Sequence, residues 1–192
     1  MSYRNLVRLS ASALILAGIL IVAEWLLVVA RIGSSRELTM AVGYTGSILL
    51  IFGLMGLYGC QIKNSGWAGF LGFVLAILSN CFTLGQPWLL VSGQWLVSFK
   101  VLSTLIPITG IPGYILLAIG TWRAGKLPRW SAVVWAAGYT ISSTSRLIVM
   151  SGSSINPLIP IGRLLWITGL MWAAIGMFSV KVAPTTMPKP EA

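Results

Sequence analysis

The sequence predicts an all-α fold: a polytopic membrane helix bundle with six transmembrane helices and both termini in the cytoplasm. Three observations carry the prediction. The 192-residue chain is 57% hydrophobic and only 8% charged, where soluble domains carry about a quarter of charged residues. Its apolar residues, with a mean hydropathy of +0.91, fall into six runs, each near the length of about 20 residues that crosses a hydrocarbon core. The cations stand at the ends of those runs. Between Gly120 and Trp130 the chain leaves one run at Trp122, passes Arg123, Lys126 and Arg129, and enters the next at Trp130, a tight basic hairpin between two helices.

Helix 1 is expected over residues 9–30, after Arg4 and Arg8; its apolar run exceeds the h-region of a signal peptide, about 7 to 15 residues. Helix 2 (40–59) carries Gly43, Gly46, Gly53, Gly56 and Gly59. Such a small surface lets backbones approach closely in lipid, and places helix 2 at the centre of the bundle. Helix 3 (67–89) ends or kinks at Pro87. Residues 91–100, with Gln94, Trp95 and Lys100, read as an interfacial loop or short surface helix. Helix 4 (101–122) holds Pro107 and Pro112 around Gly110, which implies a bend or local break, since each proline removes a backbone hydrogen bond. Helix 5 (130–150) and helix 6 (157–180, opened by Pro157) complete one domain over 1–182, and the proline-bearing residues 183–192 read as a disordered cytoplasmic tail.

Cations on the N-terminal side are Arg4, Arg8, Lys63, Arg123, Lys126, Arg129, Lys181 and Lys189; the other side has Arg31, Arg36 and Lys100. This asymmetry puts both termini inside. Trp67, Trp122 and Trp130 then mark the inner interface and Trp25, Trp88 and Trp95 the outer one. The net charge of +10 is thereby explained by insertion, and no nucleic-acid partner is implied. Cys60 and Cys81 lie in or at the edge of apolar runs, as packing residues do. The chain has no histidine and no aspartate, which argues against imidazole-held haem or zinc and against a Ser-His-Asp triad. No cofactor, no metal site and no catalytic residue is assigned.

Glu24, Arg146 and Arg163 are the ionisable residues inside apolar runs, and a charge at membrane depth needs a partner or water. Counted at 1.5 Å per residue, all three fall about 21 to 22 Å above the inner boundary. An ion cluster is expected there, Glu24 pairing with Arg146, Arg163 or both, either as a ligand site or as a device that fixes packing. Tyr139, Ser142, Ser143 and Arg146 form one stripe of helix 5; Ser79, Thr83 and Gln86, beside Asn80, form another on helix 3. These stripes line an outward-facing polar cavity or serve as contacts between helices. Gly110 to Gly113 lacks the lysine and strand context of a phosphate loop.

Helices 2 and 3 with their basic turn echo helices 4 and 5 with theirs, as a parallel duplication would. The segments Gly56-Leu57-Tyr58-Gly59, Gly66-Trp67-Ala68-Gly69-Phe70-Leu71-Gly72-Phe73 and Ala124-Gly125-Lys126-Leu127-Pro128-Arg129-Trp130 resemble a loose group of small uncharacterised six-helix integral membrane proteins of bacteria. The resemblance covers helices 2 to 5. It implies a bacterial cytoplasmic membrane and no assigned activity. The functional expectation is a non-enzymatic accessory subunit or a bundle that binds lipid or a small molecule, with membrane lipids, other membrane subunits or further copies of itself as partners. A small oligomeric transporter or channel is the alternative, and an intramembrane enzyme the third.

Overall fold

The computed structural model describes residues 3–29, 36–91, 97–150 and 158–180. They form six helices: α1 (Tyr3–Val29), α2 (Arg36–Gln61), α3 (Gly66–Val91), α4 (Val97–Ala124), α5 (Arg129–Met150) and α6 (Leu158–Ser179). The described residues are 94% helical and contain no strand. The tail 183–192 and Pro157 lie outside them.

Each helix packs on its neighbours in the chain, and α6 closes the ring against α1; the tightest pairs are α1 with α2, α3 with α4, and α5 with α6. Glycine makes the last two pairs close. A Cβ on Gly72 would strike the backbone of Leu117, and one on Gly138 would strike Gly162 and the backbone of Trp166. In lipid, where apolar burial gives no driving force, such backbone approach is what joins helices. The centre is filled by Leu14, Leu50, Leu54, Tyr114, Leu117 and Trp135, all essentially covered by protein.

Several boundaries differ from the sequence expectation. α1 begins at Tyr3 because Arg4 and Arg8, exposed on its first turns, are good helix formers that need only an outward face. α3 continues past Pro87 to Val91, and α4 begins at Val97, so part of the expected interfacial stretch is helical. α4 is unbroken through Pro107 and Pro112, as a helix packed among neighbours in a membrane tolerates. Helix 2 touches α1, α3, α4 and α6, as a central helix does; of its glycines, Gly46 lies against Leu20 and Ile21 and Gly53 against Leu14 of α1, while α4 and α6 are the more deeply covered spans.

Five of the helices are long and apolar enough to cross a membrane. α5 falls short because hydroxyl side chains fill its second half, yet Ser131, Ser142, Ser143 and Ser145 are buried against protein. Its serines are therefore turned inward, away from lipid.

Candidate functional site: a buried polar seam, an ion pair and an apolar cleft

The polar residues of the interior assemble around α4. Ser79 Oγ on α3 donates to the Ile106 carbonyl at 3.0 Å and lies 2.8 Å from Tyr139 Oη on α5. Asn80 Nδ2 donates to the Ala76 carbonyl of its own helix at 2.7 Å and to Tyr114 Oη at 3.1 Å. The Tyr114 and Tyr139 rings stack at 4.2 Å between centroids, and Trp166 of α6 meets Tyr139 edge-on at 5.4 Å. Gly110 makes the seam possible: a Cβ there would collide with Tyr139 Oη and stand 2.6 Å from Ser79 Oγ. Each such bond contributes about 1 kcal/mol, and together they tie α3, α4, α5 and α6 in one register.

Thr83 Oγ1 turns back to the Ser79 carbonyl at 3.0 Å. Ser142 and Ser143 are buried on α5. The Gln86 side chain lies outside the described residues. Ser79 thus holds Tyr139 and Asn80 holds Tyr114, each across two helices.

Towards the end of the bundle opposite Arg123 and Lys126, Arg163 Nη2 on α6 donates to Glu24 Oε2 on α1 at 3.0 Å, with side-chain exposures of 20% and 28%. Gly43 on α2 leaves room for the carboxylate, since a Cβ there would stand 2.9 Å from Glu24 Oε1. Arg163 Nε is buried without a hydrogen-bond partner. Arg146 is exposed on α5; the Glu24 ion pair at this level is made with Arg163. Beside the pair, Trp25, Pro160 and Leu164 help to line a narrow crevice with no room for a water molecule.

A larger cleft of about 540 Å³ opens on the outer surface of the bundle between α4 and α5. Ile115, Ile119 and Trp122 form one wall and Ala132, Ala136 and Ala137 the other, with Arg123 at one end. The alanines create it: at the same helical spacing, larger side chains would fill the valley between the two helices.

The sequence reading missed Tyr114 and the cleft. Tyr114 is a single aromatic in an apolar run whose partner Asn80 is far along the chain, so no local pattern marks it. The cleft had a weak signal in the alanines of α5 facing Ala118 of α4.

These features define a class: a helical bundle with the length and apolarity of a multi-pass membrane protein, its interior polarity held in contacts between helices. No family model matches the chain, and neither a curated protein nor a solved structure matches it.

Proposed function

We propose that the protein is a non-enzymatic membrane bundle that binds an amphiphile in the cleft between α4 and α5. The cleft carries this reading: about 540 Å³ of space with apolar walls on a surface that faces hydrocarbon, and one cation at its mouth. That volume lies within the usual range of ligand pockets, roughly 300 to 1,000 Å³. The polar chemistry of the interior supports the same reading from the other side. Glu24, Tyr114 and Tyr139, three interior groups with a proton to exchange, are each engaged by Arg163, Asn80 or Ser79. An acid-base catalyst needs such a group within reach of substrate.

Native mass spectrometry of the protein purified in mild detergent tests the proposal. The wild type is expected to retain an amphiphile that Ala137→Trp, at an exposed position on the cleft wall, loses while its helical content and elution stay unchanged. A wild type that carries stoichiometric foreign subunits, with lipid retention indifferent to Ala137→Trp, overturns it in favour of an accessory role.

We further propose that the membrane is the bacterial cytoplasmic one, with both termini inside. Arg4, Arg8, Lys63, Arg123, Lys126 and Arg129 are exposed at one end of the bundle, beside the exposed Trp67 and Trp130, which is the charge and aromatic pattern of a cytoplasmic face. A phosphatase fused to the C-terminus, active only outside the cytoplasm, should be silent, and strong activity would reverse the orientation.

A further inference from the structure

We propose that the occupant of the α4–α5 cleft is an anionic phospholipid of the leaflet on the basic side, one acyl chain lying along the alanine wall and the phosphate resting between Arg123 and Arg129; this rests on the amphiphile reading above.

The length of the cleft argues for an acyl chain. Along α4 it runs from Ile115 to Arg123, about 12 Å at 1.5 Å per residue. One leaflet of hydrocarbon is about 15 Å deep, half of a core of about 30 Å. The cleft therefore starts at the interface and stops short of the midplane, which is the reach of a chain hanging from its phosphate in that leaflet.

Its mouth is built for an anion. Arg123 belongs to the lining and is exposed. Arg129, at the start of α5, folds back so that its guanidinium lies 5.8 Å from the centre of the Trp122 ring, and Trp122 is itself part of the wall. Trp130 meets Trp122 edge-on at 5.9 Å, which fixes the ring that Arg129 covers. Gly125, at φ 63°, makes the turn that brings the two arginines to the same mouth. Among the described residues the carboxylates are Glu24 and Glu37, both towards the opposite end, so the cations here face no acid of the bundle. A phosphate diester with an apolar tail matches both parts of the site: the mouth takes the charge, and the walls take the chain. A zwitterionic lipid offers the same tail, but its ammonium would meet the two guanidinium groups.

The test uses the full chain, delipidated in detergent and titrated separately with phosphatidylglycerol and with phosphatidylcholine of identical acyl chains, read by native mass spectrometry. Phosphatidylglycerol should bind more tightly. Arg123→Gln and Arg129→Gln should each weaken it about fivefold, the equivalent of about 1 kcal/mol per cation near an anionic lipid surface, and leave phosphatidylcholine unchanged. Lys63→Gln, at the same end but outside the lining, should change neither. Ala137→Trp should weaken both lipids, because it narrows the part of the site they share.

Equal affinity for the two lipids, unaffected by Arg123→Gln, would overturn the phosphate assignment and leave the amphiphile reading standing. An effect of Lys63→Gln as large as that of Arg123→Gln would also overturn it, since binding would then follow diffuse surface charge. Indifference of both lipids to Ala137→Trp would remove the cleft and the functional reading with it.

Discussion

Gly138→Leu is expected to force the α5–α6 pair apart and strongly destabilise the folded bundle. A Cβ at position 138 already collides with the Trp166 backbone nitrogen, and the Gly162 carbonyl would stand 2.7 Å away. These are backbone atoms of a helix, which no rotamer change can move aside. Gly162 faces the same contact from the other side, where a Cβ would lie 2.5 Å from Ser142 N and 2.8 Å from Gly138 O. Overpacking a rigid core costs about 1 to 3 kcal/mol and sometimes more; with backbone on both sides the upper end applies, about 3 kcal/mol. That is more than a hundredfold in the ratio of folded to unfolded protein, at about 1.4 kcal/mol per tenfold. Denaturant titration followed by tryptophan fluorescence reads the loss. Gly59→Ala is the control, because nothing stands within 4 Å of its Cβ position, and alanine there should be neutral or stabilising by up to about 1 kcal/mol. Equal stability of Gly138→Leu and Gly59→Ala would mean that α5 and α6 do not touch as described.

The dependence of α5 on α6 explains which parts of the fold the sequence reveals. Apolar runs set the number and order of helices, because spanning length is a local property. What each helix faces is not local. The glycines of α2 do not say which helix they meet: Gly43, Gly46, Gly53 and Gly56 accommodate side chains of α1, and the closest backbone approaches lie at glycines of α3 to α6. A pairing of Glu24 with Arg146, Arg163 or both was legible from depth, since a constant rise per residue places all three at one level, but the choice of Arg163 was not. Arg146 shares that depth and the stripe of Tyr139, Ser142 and Ser143, but it is exposed while those three are buried. A long cationic side chain at the edge of a buried stripe can turn outward while the short hydroxyls cannot, and helical spacing does not encode that choice. The cleft is harder still to read, because it is a volume that two separate helices leave empty.

The same ion pair yields the second large effect. Glu24→Leu leaves the Arg163 guanidinium, only 20% exposed, without its 3.0 Å partner and with Arg146 nearby. Breaking a fully buried pair costs about 3 to 5 kcal/mol; the partial exposure of both side chains brings the expected loss to about 2 kcal/mol. Arg163→Leu strands the carboxylate against Gly43 and should cost a similar amount. Removing both charges together is the informative case, since an apolar pair of similar volume avoids desolvation altogether and is often neutral or stabilising. The double variant Glu24→Leu/Arg163→Leu should therefore be more stable than either single variant, a coupling of about 2 kcal/mol or more, whereas Arg146→Leu should be nearly silent. Additive losses in this cycle would show that the two charges do not depend on each other. Lipid retention separates packing from function: a double variant that folds and keeps its amphiphile makes the pair a clamp between α1 and α6. One that folds but releases the amphiphile would tie the outer charges to binding, although the cleft lies between two other helices.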